Sequence, residues 1–284
     1  MSGQLPSNEK ILAFCRTHYR LGARTVVYPS QNAPIAFIKI ASSQSGVESE
    51  ISNQRFAFDA LEALPKQERA GIRVPKIYRV LEKASTRYII MEYVQGQTLD
   101  ELLDQDILHD LHFNQISKAI KLFLSFEVPV NATPGPIGGG IIRHPLFKDA
   151  IASIEYASVN ALQGHVQALA NMPETNNLNI NFHNEDLCFC YSDLFEGNFI
   201  FTNKGDLYIV DFEHAGFLPA SFMTYALDQP RPVCIAIKND FAFLPYENLE
   251  AMRVAGHNFM IRWRKAGLPL STTMLDSTSR SLAA

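Results

Sequence analysis

The sequence predicts an α+β protein of two lobes, with a small antiparallel sheet first and a mostly helical region after it. Three observations lead there. Short β-branched and aromatic runs separated by turn residues crowd the first 94 positions. Helical spacing then dominates residues 112–126 and 145–172. A lone hairpin signal, "NFIF" and "DLYIVDF" joined by "TNKG", interrupts the second part and carries polar groups at its ends. The expected division is 1–94, 95–270 and a disordered tail at 271–284, where "STTMLDSTSRSLAA" has no period.

Taken in order, "NEKILAFCRTHYR" places Ile11, Leu12 and Cys15 on one side of a helix over 8–20. "RTVVYP", the turn cluster "SQNA" and "PIAFIKIA" read as two strands. "ESEISNQRFAFDALEAL" brings Ile51, Phe58, Leu61 and Leu64 to turn spacing and predicts a helix over 48–64. "VPKIYRVLEKASTRYIIMEYV" predicts two antiparallel strands around a polar turn at 82–86. "TLDE" fits a capping box, with Thr98 as N-cap and Glu101 three residues on, so a helix begins there. "TPGPIGGGIIRHPLF" follows the next helix. Its glycines at 138–140 form either a flexible loop or a backbone surface that approaches a ligand closely. "YENLEAMRVAGHNFMIRWRKAG" closes the pattern as a helix stopped at Gly267.

The bulk composition narrows the function classes. The chain has 284 residues, enough for one large domain or two lobes. Hydrophobic residues make up 47% and charged residues 19%, as in ordinary soluble proteins. A formal charge of -4 without a Lys/Arg run argues against a nucleic-acid partner. No apolar stretch of about 18 residues is present, so no membrane span is expected. The opening "MSGQLPSNEK" lacks the apolar core of a signal peptide. Cys15, Cys188, Cys190 and Cys234 are too sparse for a disulfide scaffold and suggest a cytoplasmic, reducing environment. A metal site at Cys188 and Cys190 would need further ligands, with His183 the one nearby candidate.

The stretch "CYSDLFEGNFIF" raises the question of chemistry. Asp193 and Asn198 stand five apart before the hairpin, and Asp211 lies near the end of its second strand. The plain reading is turn residues. The chemical reading is a hard-cation site, because hairpin closure brings oxygen-bearing side chains to one end of a small sheet and magnesium takes oxygen ligands.

"SDLFEGNFIF…GDLYIVDFEHAG" resembles the aminoglycoside phosphotransferase and choline kinase branch of the protein-kinase-like superfamily. Upstream, "AFIKI" resembles the strand carrying the ATP lysine, "ESEISNQRFAFDAL" the helix whose Glu pairs with it, and "YIIMEYVQGQTL" the hinge between lobes. The order holds across about residues 25–220 and looks most similar to the fungal phosphotransferase-like group. The resemblance implies a two-lobed kinase-like fold and transfer of the ATP γ-phosphate to a hydroxyl of a small-molecule alcohol. It implies Asp193 as base, and Asn198 and Asp211 as magnesium ligands. It also implies that Lys39 contacts the α- and β-phosphates with Glu50 as its partner, Met91 stands behind the nucleotide, and Glu92 and Val94 offer backbone groups to adenine. Phosphoryl transfer asks a protein mainly for positioning and charge neutralisation, which such a set supplies.

Rival readings stand beside these. Lys39 as an edge-strand lysine would snorkel to solvent. Glu48 lies near Glu50 on the same helix, and Glu50 is preferred for its place before the apolar face. His144 and His214 are read as structural hydrogen-bonding groups. Two departures from the family pattern are visible. Ser192 stands where the family usually has His, with Tyr191 or Ser192 itself as the source of a substitute hydrogen bond. "YPSQNAP" before Lys39 contains no glycine. The alternative function is a catalytically inactive kinase-like binding protein. A protein kinase is disfavoured, because "FEHAGFLPASF" leaves no long activation loop and no Ala-Pro-Glu sequence follows.

Overall fold

The computed structural model describes residues 5–20, 22–42, 46–107, 110–172 and 177–261. In chain order the elements are α1 (Asn8–Arg20), β1 (Thr25–Tyr28), β2 (Ala36–Ser42), α2 (Val47–Ala63), α3 (Lys66–Arg69), β3 (Ile72–Arg73), β4 (Ile77–Lys83) and β5 (Thr86–Glu92). Then come β6 (Gln97–Thr98), α4 (Leu99–Asp104), α5 (Asp110–Leu124), α6 (Val159–Ala170) and β7 (Leu187–Tyr191). The chain continues with β8 (Phe199–Phe201), β9 (Leu207–Ile209), β10 (Ala215–Pro219), α7 (Ala220–Leu227), α8 (Pro232–Ile237) and α9 (Leu249–Ile261). Packing groups them into two units, residues 1–122 with 195–213, and residues 123–194 with 214–284.

The first unit holds a four-stranded antiparallel sheet in the order β1-β2-β5-β4. Alternation along β5 decides what each face meets, because successive side chains in a strand point opposite ways. Tyr88 and Ile90 pack with Ile38, Ile40 and the α1 residues Ile11 and Cys15. Ile89 and Met91 pack with Val47 and Ile51 of α2. The strands 77–83 and 86–92 turn at Ala84, whose φ is 54°. Thr98 caps α4 as expected. Its hydroxyl accepts from the Glu101 amide at 3.2 Å, and the Glu101 carboxylate accepts from the Thr98 amide at 2.8 Å. The hairpin β8–β9 pairs Phe199 with Ile209 and Phe201 with Leu207.

The second unit pairs β7 with β10, Phe189 opposite Phe217, and surrounds its core with helices. Phe147, Phe182, Phe222 and Phe259 are fully buried, with Phe147 edge-on to Phe259. The expected helix over 145–172 is corrected to 159–170. Residues 145–158 are irregular, with Lys148–Ala150 forming one short 3-10 turn. Asp149 and Ala150 take positive φ, and the Leu146 amide donates to His144 Nδ1 at 3.1 Å instead of entering a helix. Ser158 then starts α6, its hydroxyl accepting from the Ala161 amide. The expected stop at Gly267 and the tail 271–284 lie outside the described residues.

His144 has the structural role expected of it. It is fully buried, and burial pushes its pKa down to about 3. The neutral ring donates from Nε2 to the Phe222 carbonyl at 3.0 Å. All four cysteines are free thiols. Cys188 and Cys190 share a strand face with sulfurs 3.6 Å apart. Among the described residues, no group of three or more His, Cys, Asp or Glu comes together to hold a metal, and no helix is long and apolar enough to cross a membrane.

Candidate active site

Strand alternation aims Lys39. Its neighbours Ile38 and Ile40 face α1, so Lys39 turns to the opposite face with Phe37 and Ala41, toward α2. There its ammonium meets Glu50 at 2.8 Å and Asp211 at 3.3 Å. Glu48, the rival on the same helix turn, pairs with Arg87 instead. Glu50 is 3% exposed. Burial, reinforced by the Asp211 and Glu213 charges, lifts its pKa to about 7 against the opposing pull of Lys39. Burial disfavours the Lys39 charge, but the Glu50 and Asp211 carboxylates outweigh that and raise its pKa.

Asp211 follows the hairpin in a left-handed conformation, φ 59°, uncommon for a residue with a side chain. The Val210 amide donates to the Asn198 carbonyl at 3.0 Å, so the two ends of the hairpin are fastened beside one another. Asn198 is buried, whereas the Asp211 carboxylate keeps 39% of its side chain exposed.

A cavity of about 280 Å³ joins these groups. Lys39, Glu50, Met91, Glu92, Val94, Asn198 and Asp211 all line it. Val27, Phe37, Ile200 and Val210 add apolar walls, and small-molecule sites typically combine such walls with a few polar groups. Glu92 is held from two sides. Its amide donates to the Lys76 carbonyl at 2.9 Å, and its carboxylate accepts from the Tyr208 hydroxyl at 3.0 Å. Burial and that carboxylate push the Tyr208 hydroxyl up to about 12.

Sequence reasoning missed two side chains here. Asn53, fully buried, donates from Nδ2 to the Phe212 carbonyl at 3.0 Å. Gln54 donates from Nε2 to the Pro75 carbonyl at 2.7 Å and lines the cavity. The signal was available: both lie three and four residues after Glu50, on the face that Glu50 shares.

Asp193 belongs to the second unit, on the loop leaving β7, and is half-buried. Beside it, Ser192 donates its hydroxyl to the His214 carbonyl at 2.7 Å. The glycine segment 138–140 has three positive φ values, 90°, 89° and 121°. The Glu155 carboxylate accepts from the Gly140 amide at 2.8 Å, so a side chain from outside the segment fastens this loop.

The Choline/ethanolamine kinase family model matches residues 63–226, more than half of the chain. No curated protein matches. Among solved structures, a thermostable mutant of aminoglycoside phosphotransferase APH(4)-Ia, in ternary complex with ADP and hygromycin B, is similar at TM-score 0.53 and 12% identity. That similarity covers 82% of this chain and 80% of that one. The apo form of such a mutant is similar at TM-score 0.51 and 14% identity, covering 78% of both chains. APH(4)-Ia itself is similar at TM-score 0.50 and 13% identity, over 78% of this chain and 77% of that one. At such identities the likeness establishes the fold, which is protein-kinase-like.

Proposed function

The chain belongs to the choline/ethanolamine kinase family, and on that premise we propose an ATP- and magnesium-dependent phosphotransferase that moves the γ-phosphate to a hydroxyl of a small molecule. The observation that carries the reading is Lys39 bridging Glu50 and Asp211 inside an apolar-walled cavity.

The donor set fits both groups. Lys39 touches two carboxylates, Glu50 and Asp211, and the Glu213 charge acts on it as well, so negative charge outweighs the one ammonium and leaves the site attractive to a cation. Asp211 and Asn198 offer hard oxygen donors of the kind magnesium prefers. Magnesium, when bound, neutralises charge on the phosphates. Val27, Phe37, Met91, Ile200 and Val210 bury a purine, and the Glu92 and Val94 backbone pairs with its edge. Lys39 holds the α- and β-phosphates, and buried Glu50 keeps the lysine from swinging to solvent. Asp193 accepts the proton of the acceptor hydroxyl at a carboxylate oxygen. Ser192 fixes the loop that carries it. The family name makes choline and ethanolamine the first acceptors to try, and hygromycin B, present in a structural relative, the next.

The test measures ADP formation from ATP and magnesium over a panel of small alcohols. The expected result is alcohol-dependent ADP formation that Asp193→Asn lowers about 10²–10⁴-fold. Nucleotide binding without turnover on any alcohol would favour the inactive, ligand-binding alternative, which the glycine-free segment 29–35 between β1 and β2 supports.

A further inference from the structure

Helix α2 supplies more than Glu50. Glu50, Asn53 and Gln54 occupy one face and are 3%, 0% and 2% exposed. Gln54 is tied to Pro75, ahead of β4. Asn53 is tied to Phe212, the residue directly after Asp211. The helix therefore grips the Asp211 segment twice. Lys39, paired to Glu50, holds the carboxylate. Asn53 holds the peptide that follows it.

The two grips differ in what they survive. An incoming cation competes with Lys39 for the Asp211 oxygens, so that contact weakens when a metal binds. The Asn53 bond is made to backbone and is not in competition. It also falls next to a left-handed residue, a conformation that persists only where surroundings enforce it. We propose that Asn53 is a positioning residue for the metal-binding carboxylate: its buried amide pins the Phe212 carbonyl and so keeps Asp211 aimed at the cavity while the carboxylate exchanges Lys39 for metal. This rests on the reading of Asp211 as a magnesium ligand.

Two variants carry the test. Asn53→Leu keeps the branching at Cγ while removing the donor and adding some bulk, and Asn53→Ser keeps a polar group too short to reach Phe212. Asn258→Ala is the control for general destabilisation. Asn258 is also a buried amide, donating to the Leu169 and Met172 carbonyls at 2.9 and 2.8 Å in the second unit. ADP affinity is measured with magnesium and with EDTA. Hydrogen exchange is followed in the metal-free protein across residues 210–214.

In wild type, magnesium strengthens ADP binding. In whichever Asn53 variant folds, that gain falls about 10–100-fold, the usual loss when a partner of a metal ligand is removed. Metal-free ADP affinity holds, and exchange at 210–214 quickens. Asn258→Ala changes neither readout. An Asn53 variant that keeps the full magnesium gain, or leaves exchange at 210–214 unaltered, overturns the proposal while the metal reading stands. A wild type whose ADP affinity ignores magnesium removes the metal reading, and the role of Asn53 with it.

Discussion

Ser192 Oγ donates to the backbone carbonyl of His214 at 2.7 Å, and the Ser192 amide donates to the same oxygen at 3.1 Å. One carbonyl thus ties the start of the Asp193 loop to the start of β10. The hydroxyl adds a side-chain bond to the backbone one at the head of this loop. Ser192→Ala removes one of the two bonds, at a cost of about 1 kcal/mol. A fall in Tm of about 2–4 °C is expected for a chain of this size. Turnover should fall more than nucleotide affinity, checked by comparing kcat with ADP binding in the same variant.

Glu50 makes stability depend on pH in a stated direction. Its pKa is about 7 in the folded protein, against an ordinary 4.5. Between those values the folded state binds more protons than the unfolded one, so stability declines as pH rises from about 4.5 to 7 and levels off above. The full effect is on the order of 3 kcal/mol. Glu50→Gln should flatten this part of the profile, measured by denaturant unfolding at a series of pH values. An unchanged slope in Glu50→Gln would contradict the burial of a titrating carboxyl.

The two aspartates should separate binding from chemistry. Asp193→Asn is expected to lower turnover about 10²–10⁴-fold, the usual contribution of a positioned base, with ADP affinity unchanged. Asp211→Asn is expected to erase the magnesium dependence of ADP binding. Isothermal titration of each variant with ADP, with and without magnesium, reads both. Full turnover in Asp193→Asn would remove it as the base.

Gly216 packs directly against the Gly135 carbonyl, where β10 meets the backbone at 135 through paired bonds of 2.9 and 2.8 Å between Gly135 and Phe217. Any Cβ at 216 collides with that backbone. Gly216→Ala should cost about 1–3 kcal/mol through forced displacement, visible as a lower midpoint in urea. Gly138→Ala offers the contrast, because open space surrounds it and only its φ of 90° opposes a side chain.

The sheet, α1, α2, the capping box and the hairpin were legible because each has a short local cause: alternation, turn spacing, a cap, a turn pair. The contact of Lys39 with Glu50 was legible only through the ordering of motifs, since nothing local joins a strand to a helix eleven residues on. Asn53 and Gln54 were not read, because amides beside Arg55 look like a solvated face until burial is known. The segment 145–158 misled for the opposite reason. Its apolar residues Leu146, Phe147 and Ile151 come at helical spacing, yet the Asp149 and Ala150 backbone leaves the right-handed region there. What replaced the helix is a nonlocal anchor, His144 on Phe222, which spacing along the chain does not reveal.

Lys39 and Asp211 touch across 172 positions of chain. The first unit is therefore discontinuous: its cavity takes walls from residues 25–94 and from residues 198–211. During synthesis the cavity stays incomplete until Asp211 has left the ribosome, however early the sheet has formed. A truncated product ending at Leu122 retains Lys39 and Glu50 and lacks their third partner. Shortening the gene to isolate the sheet region would thus discard the site, whereas rejoining 195–213 to 1–122 by a linker is the division the packing itself suggests.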